Sequence, residues 1–207
     1  MTNVWDERAA TWEDQPESHT YAKQALATLE PVVETHLGAW KDLRVLDFGA
    51  GTGLLTERLA PLCREVVALD PSPRMIEVLD NKVAHEKWEN VATIAGYFEH
   101  ESGARPELRE PFDLIVASSV CSFLPDFPAE LSRLGAVLRP GGLFVQWDWL
   151  ADTAGDWASG LSRDDIEAAY KHASLEVISA GPGFVFSFDG KELDVLQAVG
   201  RAQPATP

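Results

Sequence analysis

Glycine stands at every second position of Gly49-Ala50-Gly51-Thr52-Gly53, between the apolar run Leu43–Phe48 and the helix-periodic stretch Leu54–Leu62. Such a loop makes a strand stop, turn tightly and feed a helix. Glycine reaches left-handed backbone without steric cost and lets a ligand approach the main chain closely. A strand-to-helix junction of this kind constrains the rest of the chain towards alternating strands and helices.

The pattern around it agrees. Short apolar runs alternate with segments of three-to-four spacing, the sign of a parallel sheet covered by helices. Leu26, Leu29, Val33 and Leu37 predict a helix over Thr20–Leu37. Strands are predicted at Leu43–Phe48, Val66–Leu69, Val91–Ala95 and Phe112–Ala117, the last so continuously apolar that it reads as buried on both faces. Ser72-Pro73 opens a helix well, with serine as cap and proline at the first helical position. Further helices are expected at Leu54–Leu62, Pro128–Leu138 and Ser162–Ala173, the last opened by a capping box of Ser162 and Asp165. Pro140-Gly141-Gly142 is expected to stop one helix and turn the chain into a strand at Leu143–Trp149. Ala151–Gly160 is a looser Gly/Asp segment. Leu175–Ala180, Phe184–Phe188 and Leu193–Val199 close the chain as strands, with Asp189-Gly190 as a hairpin signal. The plan is a helix, five β/α alternations and a terminal antiparallel pair.

Two acids border the glycine loop. Asp47 precedes it, and Asp70 ends the second strand, placed to accept hydrogen bonds from the two ribose hydroxyls of a nucleoside. A dinucleotide site wants Gly-x-Gly-x-x-Gly, but the sixth position counted from Gly49 is Leu54. A carboxylate at position 47 would also repel a pyrophosphate. It favours a cationic ligand, and S-adenosylmethionine, with a sulfonium and an ammonium and no phosphate, fits that chemistry.

On these residues the chain resembles the class I S-adenosylmethionine-dependent methyltransferases. Asp47-x-Gly49-x-Gly51-x-Gly53 is similar to their first motif and Asp70-Pro71-Ser72-Pro73-x-Met75 to their second. Phe112-Asp113-Leu114-Ile115-Val116 with Ser118 is similar to their fourth strand, and Leu138-Arg139-Pro140-Gly141-Gly142 to the turn before their fifth. The likeness runs from Asp42 to Ala202. It implies a Rossmann-like three-layer α/β sandwich, a mostly parallel seven-stranded sheet with a C-terminal antiparallel hairpin. Residues 1–40 would be an N-terminal helical lid and 41–207 the core of a single domain. It also implies that Gly49 and Gly51 bring the backbone to S-adenosylmethionine, that Asp47 serves its amino group directly or through water, and that Asp70 and Pro71 border its ribose. Tyr97 and Phe98 would meet the adenine, where the family often has an acid instead of Tyr97, and Ser118 would lie beside the methionine portion.

Methyl transfer from sulfonium is an in-line displacement in which alignment is the main catalytic effect. It declares no catalytic residue in the sequence. Asp148, in Gln146-Trp147-Asp148-Trp149, is a candidate proton acceptor or partner for a cationic substrate, with the tryptophans as an aromatic wall. His19, near Trp5, Trp12 and Tyr21, is a candidate base. The plain alternatives are a solvated acid, core aromatics and a surface histidine. No metal-ligand spacing occurs, and no metal is expected.

Charge excludes several classes. With 17 Lys+Arg against 33 Asp+Glu the net charge is -16, which disfavours nucleic acid and anionic membrane surfaces. Leu114–Leu124, the longest apolar-looking stretch, is shorter than the roughly 20 residues of a membrane span. With no signal peptide pattern and only Cys63 and Cys121, a cytoplasmic protein with reduced thiols is expected. The reading is methyl transfer to a small-molecule hydroxyl, amine or carbon. The alternatives are a nicotinamide-dependent oxidoreductase, which would need a Tyr-x-x-x-Lys pair that Tyr97 and Tyr170 lack, and a non-catalytic S-adenosylmethionine-binding module. The oligomeric state has no signature.

Overall fold

The computed structural model describes residues 4–98, 105–150, 160–188 and 190–203. The chain forms two compact units, Met1–Arg109 and Glu110–Pro207.

The first unit begins with helix α1 (Val4–Arg8), a 3₁₀ turn (Ala9–Asp14) and α2 (Pro16–His36). The expected start of α2 at Thr20 moves back to Pro16, because proline fits the first helical turn, where its missing N–H is not needed. Tyr21, Ala22, Ala25, Leu29 and Val33 form its buried stripe. Then come β1 (Arg44–Phe48), α3 (Thr56–Leu59), β2 (Glu65–Asp70), α4 (Pro73–Glu86) and β3 (Val91–Ala95). β1 pairs in parallel with β2, and β2 with β3. Every residue of β1 is buried, as both faces of an internal parallel strand require. Arg44 is buried at its start, with Nε on Glu65 Oε2 at 2.8 Å. The helix expected over Leu54–Leu62 shortens to α3, with turns on either side. Ser72 caps α4 as predicted: Met75 N donates to its Oγ at 3.2 Å.

The second unit holds β4 (Phe112–Ser118), a 3₁₀ turn (Cys121–Phe123), α5 (Phe127–Gly135), β5 (Leu138–Trp149), α6 (Arg163–His172), β6 (Leu175–Phe188) and β7 (Lys191–Ala202). Both halves of the Ser162/Asp165 capping box are present at the start of α6. The helix expected over Pro128–Leu138 ends at Gly135, Leu138 starting β5, and the strand expected over Leu193–Val199 lengthens to Lys191–Ala202. Two expected turns are also absorbed into strands. Pro140-Gly141-Gly142 does not turn the chain before a strand at Leu143; β5 runs through it from Leu138. The pairing with β4 shifts there, so Phe112 faces Leu138 and Leu114 faces Leu143. Gly142 fits because a Cβ would lie only 3.0–3.1 Å from three carbonyl oxygens. Likewise Leu175–Ala180 and Phe184–Phe188 are one strand, β6, with register shifts at Val177/Ser179 and Pro182/Phe184. Residues 151–159 of the expected Gly/Asp segment, and Asp189 of the expected hairpin turn, lie outside the described residues. Gly190 has φ +72°.

The strands form a seven-stranded sheet in the order β3-β2-β1-β4-β5-β7-β6, with β7 antiparallel to β5 and β6. This is the expected α/β class: a mostly parallel sheet with an antiparallel C-terminal hairpin.

Candidate functional site

The carboxyl ends of β1 and β2 gather Asp47, Gly49, Gly51, Asp70 and Pro71. Gly49 and Gly51 have φ of +74° and +56°, backbone that L side chains rarely adopt. The loop is tied to the end of β2 by its own amides. Gly49 N and Ala50 N donate to Leu69 O at 2.8 and 3.0 Å. Gly51 N donates to Asp70 Oδ2, and Ser72 N to Asp70 Oδ1, both at 2.8 Å. The Asp70 side chain is therefore fixed by two amides, with lone pairs on both oxygens still unused by them. It retains 7% exposure. Burial raises its pKa, while the Ser72 and Gly51 amides lower it.

Asp47 lies beneath the loop, buried, and accepts from Thr56 Oγ1 at 2.6 Å. Burial lifts its carboxyl from 3.8 to about 6; the Thr56 hydroxyl pulls it down and the Asp70 charge pushes it up. Thr56 carried no signal in the sequence. It is the first residue of α3, nine positions after the acid, and only the folded loop brings the two together. Pro71 is half-buried. Of the pair after β3, Tyr97 is 72% exposed, whereas Phe98 is buried edge-on against Phe48 with centroids 6.4 Å apart.

The remaining candidates are His19 in the first unit and Ser118 and Asp148 in the second. His19 is half-buried on α2, its Nε2 3.0 Å from Glu13 O. Ser118 ends β4 and pairs with Trp147. Asp148 is fully buried: Ser122 N donates to Oδ1 at 3.1 Å and Gln146 Nε2 to Oδ2 at 2.9 Å. Burial lifts its pKa from 3.8 to about 7, although Ser122, Gln146 and the Cys121 thiol all bond to the ionised form. Burial also pushes the Cys121 thiol well up, with the Asp148 charge adding to it. Trp149 packs on Phe186 at 5.3 Å, and its Nε1 donates to Ser119 Oγ at 3.0 Å.

The first unit's loop fits S-adenosylmethionine on three counts. A Cβ placed on Gly51 would meet nothing within 4 Å, so a ligand can reach the backbone there. Thr52 Oγ1 is buried in the same loop without a hydrogen-bond partner. The acids bordering the loop, Asp47 and Asp70, suit hydroxyl and ammonium donors and oppose a pyrophosphate. Among the described residues, no group of three His, Cys, Asp or Glu side chains is placed to hold a metal.

Comparison with known proteins points the same way. The family described as "Methyltransferase domain" matches residues 46–144. A ubiquinone biosynthesis O-methyltransferase of Methylobacterium nodulans is 27% identical over 82% of this chain and 79% of its own length. A protein of the same name from Cereibacter sphaeroides, also 27% identical, matches 72% of this chain, which spans 66% of that protein's length. Among solved structures, the N-methyltransferase NodS of Bradyrhizobium japonicum with S-adenosyl-L-homocysteine aligns with TM-score 0.67 and 22% identity, over 91% of this chain and 89% of NodS. A putative methyltransferase in complex with the Haloferax volcanii Trm112 activator aligns with TM-score 0.78 and 17% identity, over 99% of this chain and 100% of that one. Both structures share the fold.

Proposed function

We propose that the chain is a class I S-adenosylmethionine-dependent methyltransferase, as its similarity to a methyltransferase domain and to O-methyltransferases supports, and that it methylates a hydroxyl group of a small organic acceptor. The observation that carries the cofactor half of this reading is the Asp70 carboxylate, held at the loop by the Gly51 and Ser72 amides. The hydroxyl acceptor is supported by the O-methyltransferases that match most of the chain; amine and carbon acceptors are the alternatives.

Asp70 accepts from the ribose hydroxyls, and Gly49, Gly51 and Pro71 shape the approach. Asp47 acts from below the loop, its negative charge favouring the amino group. Tyr97 and Phe98 border the adenine, and Ser118 the methionine portion. Bound S-adenosylmethionine supplies a methyl group already activated on sulfonium sulfur. What the chain adds is alignment, worth up to about 7–11 kcal/mol in ideal cases. His19 and Asp148 are the candidates to take the acceptor's proton, Asp148 only if the acceptor reaches a carboxylate now buried against Ser122 and Gln146. Residues 1–40 form a lid on the core at 41–207. The net charge of -16 disfavours nucleic acid and anionic membrane as partners, and the free thiols of Cys63 and Cys121 support a reducing, cytoplasmic setting. No helix among the described residues is long and apolar enough to cross a membrane.

Calorimetric titration with S-adenosylmethionine and NADPH, followed by S-adenosylhomocysteine release across hydroxyl, amine and carbon acceptors, tests the proposal. Cofactor binding with turnover on a hydroxyl acceptor supports it. NADPH binding alone would favour an oxidoreductase. A bound cofactor with no turnover across the panel would favour a binding module.

A further inference from the structure

The N-terminus of α4 is served twice. Ser72 Oγ already accepts from Met75 N at 3.2 Å, the normal work of a cap. Asp6, sixty-six residues earlier in the chain, also reaches it: Ser72 Oγ donates to Asp6 Oδ1 at 2.6 Å, and Arg74 N at 3.4 Å. Ser72 is fully buried, and its amide is one of the two that fix Asp70. One serine therefore joins two carboxylates, its backbone to Asp70 and its side chain to Asp6. Capping does not need the second acid, and the arrangement has a cost, since the Asp6 charge works against ionisation of Asp70.

The segment carrying Asp6 is fastened at a second point. Glu13 Oε1 lies 2.5 Å from Lys82 Nζ on α4, and Lys82 also meets Glu57 at 3.2 Å. Trp5 and Trp12 pack edge to face at 5.9 Å, and the Arg8 guanidinium lies 5.4 Å from the Trp5 ring centre. Residues 4–14 are thus a short, internally braced strap pinned to both halves of α4, with one pin directly behind the ribose-binding acid.

We infer that Asp6 is a positioning residue for the cofactor: through Ser72 it holds Asp70 in place, so that closure of the 4–14 strap and cofactor binding favour each other. The inference rests on the assignment of Asp70 to the ribose. Such coupling is reciprocal. Whatever the strap does for cofactor affinity, the cofactor does for the strap.

The test uses the full chain and S-adenosylhomocysteine as probe, with two readouts: affinity by calorimetry, and the rate of tryptic cleavage after Arg8 by mass spectrometry. In the wild type, S-adenosylhomocysteine slows that cleavage. Asp6→Ala weakens binding about five-fold or more, the usual lower range of site-to-site coupling, speeds the cleavage and abolishes its protection by ligand. Asp6→Asn keeps an acceptor oxygen for the Ser72 hydroxyl and binds within two-fold of wild type. Ser72→Ala keeps the amide on Asp70 but cuts the same link, so adding it to Asp6→Ala costs little more than the larger single change. Asp6→Ala binding within two-fold of wild type, or ligand protecting Arg8 equally in that variant, overturns the inference while leaving the cofactor assignment intact. A wild type that does not bind S-adenosylhomocysteine overturns both.

Discussion

Asp148→Asn gives a quantitative test of the buried acid at the end of β5. Asp148 is fully buried and its pKa is about 7, against an ordinary 3.8. Burial is the main cause, and the Ser122, Gln146 and Cys121 donors offset only part of it. A carboxyl that ionises less readily folded than unfolded favours the folded state below the unfolded pKa. That contribution declines as pH rises and is fully lost above the folded pKa. At pH 5 the unfolded chain has largely released this proton, while the folded chain keeps it until near neutrality. One pKa unit is about 1.36 kcal/mol. Between pH 5 and pH 8, Asp148 therefore costs the wild type about 2–3 kcal/mol of stability. Asparagine cannot ionise, and its side-chain oxygen still accepts from Ser122 N. Urea unfolding of both proteins at the two pH values measures the difference. The account predicts that the variant's stability relative to wild type rises by about 2–3 kcal/mol from pH 5 to pH 8. A difference constant to within about 0.5 kcal/mol would show that Asp148 does not titrate in that range and would refute the reasoning.

Other outcomes follow from single contacts. Thr56→Val removes the hydroxyl that serves the buried Asp47 carboxylate at 2.6 Å. It should destabilise by about 1–3 kcal/mol, more at pH 8 than at pH 5 because Asp47 ionises at about 6, as read by thermal unfolding at both pH values. Gly200→Ala places a Cβ 2.5 Å from Tyr170 Cδ1, and that ring is fully buried with its hydroxyl on Ala198 O. Overpacking there should cost about 1–3 kcal/mol in denaturant unfolding, whereas Gly190→Ala, with nothing within 4 Å, should be affected only through its φ of +72°.

The parts of the fold legible in the sequence are those with local causes. The glycine loop, the Ser72 cap and the Ser162/Asp165 capping box each act within a few residues, and their chemistry shows in the letters. The buried parallel strands show as apolar runs because both of their faces are covered. Expectation and structure part where the sheet overrides local turn signals. Pro140-Gly141-Gly142 and Gly181-Pro182-Gly183 look like breaks, yet β5 and β6 absorb them through register shifts. Proline is tolerated in β6 because that strand lies at the sheet edge, where a missing donor need not interrupt a ladder on both sides. At the candidate site, Gly49, Gly51 and Asp70 were legible as one cluster because β1 and β2 are consecutive and parallel. Thr56 under Asp47, and Asp6 on Ser72, were not. Those pairings exist only after the loop and the N-terminal segment have folded back, and neither residue type marks them.

The central claim is that the β1–β2 loop holds S-adenosylmethionine through Asp70, and titration of S-adenosylhomocysteine into wild type and Asp70→Ala tests it most directly. Hydrogen bonds to a charged group contribute about 1.5–3 kcal/mol each, so losing a pair of them predicts affinity lower by about 100-fold or more, in a variant still folded by circular dichroism. A folded Asp70→Ala protein that binds S-adenosylhomocysteine as tightly as wild type would contradict the account.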